Sequence, residues 1–367
     1  MKTKMLLQMT VMVAMLVGVA KVKADVIGTL IVTNYTTLTN GVTVVGDAYI
    51  TGFVDANAYG NQAGVGSSNS LLYSFAGGAS ALYCATNCNF AIAVGEGAMA
   101  FALNSEWATV IGQEAQAFAR NCPTAFAGGE LAQNRASDCG YAVAIGYEAQ
   151  RYATNCAWAV ALGLNTQYHA SNCAACVAIG PGTMRYALNG WNSIGIGYCT
   201  QEGFTNSNTS IGMGYYAQRY MTDSGGNIGI GRQAQQNANG SGDSVAIGNN
   251  AQEQTAGSWC SVAIGNIAMY GSTNCYWSTY VGPSMGIQTV NATACGGLGV
   301  ASRVLNNSYG CYVYGAWVTN DFPNCAHVFG NYGAKYCAFT KDVAEFYVPV
   351  KVPAGGDIPM GSFTNSP

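Results

Sequence analysis

Charge is scarce in this chain. Of 367 residues only 8% are Asp, Glu, Lys or Arg, and the two histidines, His169 and His327, lie far apart. Fourteen Lys and Arg against seventeen Asp and Glu leave no basic surface with which to neutralise phosphates, so nucleic acid is excluded as a partner. Cys173-Ala174-Ala175-Cys176 has no second C-x-x-C beside it, so a zinc-ligand pattern is missing. It also lacks the strand-to-helix setting of a redox motif. No Gly-rich loop opens a helix, and the many Gly-x-Gly pairs are not nucleotide motifs. Glu114, Glu130 and Glu148 read as a solvated strip rather than a glycosidase carboxylate pair. No catalytic, cofactor-binding or metal site is expected, and the chain is not expected to be an enzyme.

Glycine, by contrast, is abundant and ordered. Among 48 glycines, fourteen fall 17 residues apart without a slip: Gly78, Gly95, Gly112, Gly129, Gly146, Gly163, Gly180, Gly197, Gly214, Gly231, Gly248, Gly265, Gly282 and Gly299. Such a period marks one structural coil per repeat, stacked on its neighbours. Ahead of the ladder glycine, branched residues alternate with small ones, as in Val143-Ala144-Ile145 and Val245-Ala246-Ile247. Three central copies (residues 193–197, 210–214 and 227–231) carry Gly in the small position. Period two predicts a short β-strand in every coil. Alternation of large with small, rather than apolar with polar, predicts that both faces are covered, with another backbone close to the small side. The ladder glycine then turns the chain or allows a close approach at a φ that a Cβ resists.

A second pattern follows the turn: Glu114-Ala115-Gln116, Glu148-Ala149-Gln150, Tyr216-Ala217-Gln218 and their equivalents. The alanine packs inward, and the glutamines stack at roughly 4.8 Å per coil, where amides can bond along the ladder. One strong and one weak apolar strip per coil suit a flattened β-roll that shares its core with other chains. At this point the residues resemble a family. Ser-Val-Ala-Ile-Gly (residues 244–248 and 261–265) followed by x-x-Ala is similar to the head repeat of trimeric autotransporter adhesins of the YadA type, over roughly residues 70 to 300. The resemblance implies a left-handed parallel β-roll, three identical chains in one rod, displayed on a bacterial surface. The family's usual repeat is shorter, so each coil here carries extra residues in its outer loop. Its stalk and membrane-barrel anchor have no counterpart in these residues, so attachment is expected to come from a partner or from the leader.

Along the chain, residues 1–24 read as a signal peptide: Lys2 and Lys4, an apolar run from residue 5 to 20, then Val22-Lys23-Ala24 before Asp25. Its removal takes four Lys and shifts the net charge from −3 to about −7 (10 basic against 17 acidic), with no membrane span left in the remainder. Residues 25–77 read as a β-rich leader or cap, 78–299 as the regular coils, 300–342 as degenerate coils at intervals of 16 and 15, and 343–367 as a closing strand and tail. The fold class is therefore an all-β parallel solenoid of about fourteen regular coils, expected as an intertwined homotrimer.

Six of the 14 cysteines share one column, seven places before the ladder glycine: Cys88, Cys122, Cys139, Cys156, Cys173 and Cys275. Stacked Cα atoms lie within disulfide reach. Cys122–Cys139 and Cys156–Cys173 are accordingly either coil-to-coil staples or small hydrophobes facing inward. Aromatics also form columns: Phe118, Tyr152, Tyr186 and Tyr220 six places after the glycine, and Tyr141, Trp158 and Trp277 five places before it. They bind sugars or proteins, or else they cover outer loops and fill between chains. The functional expectation is a secreted or surface-displayed rod that mediates attachment, with a structural appendage or tail-fibre shaft as the alternative. A monomeric solenoid that binds ice would need a Thr-x-Thr column, which the aligned coils lack.

Overall fold

The computed structural model describes residues 56–59, 74–322, 324, 326–332, 334–340, 343–346, 350–351, 357–358 and 361–364. The chain divides into Met1–Phe53 and Val54–Pro367; the signal segment 1–24 and the leader up to residue 55 lie outside the described residues. The described residues form an all-β parallel solenoid of about fifteen coils closed by antiparallel strands, and no helix occurs among them. Each coil contributes one three-residue strand, such as Val143–Ile145, Val160–Leu162 and Val245–Ile247. These pair in parallel with a register of 17 residues: Val143 lies beside Val160, Ala144 beside Ala161 and Ile145 beside Leu162. Ala56–Tyr59 already pairs in parallel with Ser74–Gly77, so the stack reaches back beyond the first ladder glycine. At the other end Gly299 pairs with Gly315 and Gly315 with Gly330. There the parallel stack stops. His327–Asn331 takes an antiparallel neighbour, Ala334–Phe339, followed by Val343–Phe346 and Gly361–Thr364, an arrangement that covers the open edge of the last coil.

Opposite the strand the wall is a ladder of single bridges, from Thr86 and Leu103 through Thr154 and Ser171 to Thr273 and Val290. Between the two walls the chain runs through successive tight turns. Ala149, Arg151 and Ala153 donate backbone N–H bonds to Gly146, Glu148 and Gln150, at 3.3, 3.2 and 3.1 Å. The third residue of each turn has positive φ, as in type II turns, although few of these residues are glycine. Glu148, Gln150, Tyr152, Asn155 and Trp158 have φ between 51° and 60°. Each costs about 1 kcal/mol or more, offset because every freed N–H finds a neighbouring coil: Gln150 donates to Thr166 at 2.8 Å and Tyr152 to Asn134 at 3.0 Å.

The ladder glycines close each coil. Gly146 has φ of 134°, and a Cβ built there would stand 2.3 Å from the carbonyl oxygen of Gly163. Gly95, Gly112, Gly180, Gly197, Gly214, Gly231, Gly248 and Gly265 meet the next ladder glycine in the same way, at 2.3 to 2.5 Å. Gly163 is slightly roomier, with Gly180 and the Thr166 hydroxyl near 2.9 Å. Both roles expected of the position, an unusual φ and a close approach, are therefore present together.

Of the two strand faces, the small one has the close opposite wall expected of it, and the branched one is open in the single chain. The small residues form the inside of the coil: Ala93, Ala144, Ala161, Ala178, Ala246 and Ala263 are fully buried. The branched residues point outward, with Ile111, Ile145 and Ile247 exposed to 48%, 44% and 37%. The reason is width. The opposite wall approaches so closely that only Ala or Gly fits, unless something nearby is deleted. Tyr280 is the exception that shows the rule. It is buried in the small column, and its ring lies over Gly286, at 2.8 Å from where a Cβ would stand. Two of the three central glycines follow the same logic, and the third, Gly229, faces Gln218 and Gln235 instead. A Cβ on Gly195 would meet the Thr183 methyl at 2.8 Å, and one on Gly212 would meet the Thr200 methyl at 2.9 Å and Gln218 Oε1 at 3.0 Å. Thr replaces Ala on one wall, and Gly replaces Ala on the other.

This compensation is testable by a double-mutant cycle. Gly212→Ala is expected to destabilise the rod by about 1–3 kcal/mol. Combining it with Thr200→Ala should cost less than the sum of the single changes by about 1 kcal/mol, read from guanidinium midpoints. Strict additivity would show that the two sites do not share space.

Candidate interaction surfaces

Inside the coil, four places after the ladder glycine, stands a buried glutamine ladder. Gln116 donates its amide to Gln133 at 2.6 Å, Gln133 to Gln150 at 2.8 Å, and Gln150 to Gln167 at 2.8 Å. A second run links Gln201, Gln218, Gln235 and Gln252 at 2.8 to 3.0 Å. Met184 separates the runs: Gln167 donates to its sulfur at 3.8 Å. Every bond points the same way along the stack, so the first residue of each run has no donor for its carbonyl. Gln116 Oε1 and Gln201 Oε1 are the two ladder oxygens left without a partner, as this polarity requires. The repeated glutamine suggested amide bonding; its position in the core became visible only in three dimensions.

The cysteine column also faces inward. Cys122, Cys139, Cys156 and Cys173 are free thiols, fully buried. Cys139 donates to the carbonyls of Ser137 and Ala153 at 3.2 and 3.6 Å, and Cys156 to those of Thr154 and Ala170 at the same distances. Further along, serine takes over the column and makes the same pair of bonds: Ser224 donates to Thr222 at 2.7 Å and to Ala238 at 3.5 Å. The thiol thus behaves as an enlarged serine that satisfies backbone carbonyls. Burial pushes the Cys88 thiol up to about 11, which keeps it protonated and unreactive at neutral pH. Cys173 and Cys176 both lie in this core, where Cys176 donates to the Gly190 carbonyl at 2.7 Å. The absent side chain at Gly190 is replaced by the ring of Phe204 from the next coil. Among the described residues no group of three His, Cys, Asp or Glu is placed to hold a metal ion.

Outside the coil the columns diverge. Six places after the glycine, rings stack on rings: Phe101 on Phe118 at 5.0 Å, and Tyr152 on His169 at 4.5 Å. The Arg135 guanidinium lies between Phe118 and Tyr152, 5.5 and 5.8 Å from their centroids. One column over, five places after the glycine, the carboxylate of Glu202 is almost fully buried between Arg185 and Arg219 of the flanking coils. Glu148 pairs with Arg151, while Glu114 and Glu130 are exposed.

Nine places after the glycine an exposed amide ladder escaped the sequence reading. Asn155, Asn172, Asn189 and Asn206 each donate to the next at 2.8 to 3.1 Å, and Asn206 donates to Asp223 at 3.0 Å. Asp138 ends the preceding run in the same manner. A carboxylate accepts but cannot donate, so these two runs stop at their aspartates, whereas a third run passes from Asn274 through Asn291 to Asn307. The signal was present: asparagine recurs at one offset, and it is the non-glycine residue that best tolerates positive φ.

Two outer zones remain uncovered. One is the Val/Ile sheet. The other is the corner just before it, where Trp107, Trp158 and Trp277 are 58%, 68% and 65% exposed. No helix among the described residues is long and apolar enough to cross a membrane. No protein-family model matches the chain, and no curated protein matches it.

The interior columns generate two expectations. Met184→Gln should join the two amide runs, supply the missing donor to Gln201 Oε1, and raise the thermal midpoint by an amount corresponding to about 1–3 kcal/mol. A lower midpoint would show that the sulfur is needed for packing. Cys139→Ser should leave the midpoint within about 1 kcal/mol of the parent, under reducing and non-reducing conditions alike. A large loss confined to non-reducing conditions would establish a disulfide at that position.

Proposed function

We propose that the protein is a non-catalytic, self-associating rod, secreted or displayed on a cell surface, whose role is attachment. The observation that carries this reading is the outward Val/Ile face. It runs from Ile92 and Val94 to Leu298 as two columns on the strand, apolar except at Thr109, Gly128, Thr279 and Gly296, and largely part-exposed in the single chain. Soluble proteins rarely leave so long an apolar strip open to water. If each of about twenty such side chains contributes about 1 kcal/mol when covered, the total is comparable to or above the roughly 4–15 kcal/mol that association costs. Three copies arranged around this face, as in the heads of YadA-type adhesins, would give a stiff rod that repeats its outer columns on every chain. Repetition favours attachment because many weak contacts on one rod add through effective concentration. A shaft of an extracellular appendage uses the same rod without a ligand.

Light scattering on the purified chain lacking residues 1–24 tests the association. The expected mass is three times that of one chain, with and without reductant. Ile145→Glu combined with Ile179→Glu should yield monomers that keep the β circular dichroism signal, since both side chains point away from the coil interior. A monomeric parent would remove the basis for the shared face. Assembled rods that bind no cell, matrix or polymer would assign the protein to the shaft class.

A further inference from the structure

The column seven places before the ladder glycine is built in blocks. Cysteine fills it in four consecutive coils, at Cys122, Cys139, Cys156 and Cys173, and serine in four later ones, at Ser207, Ser224, Ser241 and Ser258. The backbone does not require sulfur there. Ser224 makes with its hydroxyl the same two carbonyl bonds that Cys139 makes with its thiol. What four successive cysteines add is a continuous row of sulfur inside the coil. Cys139 interacts with the side chains of both Cys122 and Cys156, and Cys173 with that of Cys156. Buried alanines wall the row, among them Ala136, Ala142, Ala153 and Ala159.

The spacing of the row suits one kind of occupant. Equivalent atoms of neighbouring coils recur at about 4.8 Å. A disulfide needs its sulfurs at about 2.0 Å, which side chains in parallel register reach only by turning out of the column. A metal–sulfur bond is about 2.3 Å long, so an ion held in line between two thiolates sets them about 4.6 Å apart. That separation nearly equals the coil spacing. Zinc takes four ligands, and among the described residues no three His, Cys, Asp or Glu are placed to hold an ion. Two sulfurs in line, with no third side chain to join them, fit a soft ion for which thiolates are the preferred ligands.

We infer that the Cys122–Cys139 and Cys156–Cys173 pairs each bind one Cu(I) ion between two thiolates in line, as a staple between adjacent coils. The ion brings one positive charge and each thiol gives up one proton to solvent, so the site carries one negative charge. The backbone is arranged to meet that charge. In this column the N–H of one coil points at the side chain of the coil before, as from Ser241 to Ser224 Oγ at 2.8 Å and from Ser258 to Ser241 Oγ at 3.1 Å. The Cys122 thiol is held below its ordinary value, chiefly by hydrogen bonding to the Cys139 side chain, although burial opposes it. Cys88, stacked on Ser105 instead, is pushed up to about 11 by burial. Because the row is sealed inside the coil, the ion enters as the chain folds. Each pair lies within one chain, so the inference stands apart from the association reading.

The test is to refold the full chain from guanidinium with Cu(I) under argon and then challenge it with excess bathocuproine disulfonate. Retained copper and its X-ray absorption spectrum are the readouts. The parent should keep one ion for each of the two pairs, in a shell of two sulfurs. Its apparent affinity should fall about a hundredfold for each unit of pH lost, since two protons are released per ion. Two double variants carry equal numbers of thiols and differ only in spacing. Cys122→Ser with Cys139→Ser leaves Cys156 and Cys173 in adjacent coils and should lose one of the two ions. Cys139→Ser with Cys173→Ser leaves Cys122 and Cys156 two coils apart and should lose both. Serine already fills this column elsewhere, so both metal-free variants should keep the parent circular dichroism. Four outcomes would overturn the inference: equal copper in the two variants, a shell of three or more ligands, no copper retained by a folded parent, or these cysteines already joined as disulfides in the purified chain.

Discussion

The structure depends on how closely one coil can lie on the next at the ladder glycines. With a gap of 1.6 to 2.9 Å between a hypothetical Cβ and the following backbone, no other residue fits without prising the coils apart. Because the same approach recurs at each turn, displacement in one coil is felt by its neighbours. That contact holds the strand register at 17 residues and aligns every side-chain column. The Gln, Asn, Cys and aromatic ladders are consequences of this alignment, since each needs equivalent atoms to recur at one spacing.

Polarity runs through these ladders. An amide donates in one direction and accepts from the other, so a stacked row has a distinguishable beginning and end. Inside the rod the beginnings are Gln116 and Gln201, whose carbonyls go unpaired. On the outside the ends are Asp138 and Asp223, which accept and pass nothing on. The interior rows therefore carry small defects at known coils, and the two exterior rows that end in aspartate are closed cleanly because a carboxylate exposed to water satisfies its own remaining capacity.

Core and surface solve different problems. The interior is narrow and is filled by exchange, with Thr against Gly, Tyr280 over Gly286, and Phe204 into the space at Gly190. The exterior holds more apolar material than the interior can take. The ring column after the glycine covers its own faces, while the Val/Ile sheet and the tryptophan corner do not.

The period, the strand in each coil, the need for glycine at its end and the stacking of glutamines were all legible in the sequence, because each depends on a residue recurring at one offset. The close wall on the small side was legible too, but not that the branched face stays open in the single chain. Alternation of Val, Ala and Ile states that two faces differ, but only the closed coil leaves the branched residues at the surface. The same holds for Cys139 and its column, where spacing brings the thiols within reach of one another and only the fold sets them beside backbone carbonyls such as those of Ser137 and Ala153. A one-dimensional repeat determines what is stacked on what. The width of the coil, a property of the closed three-dimensional turn, decides what each column faces.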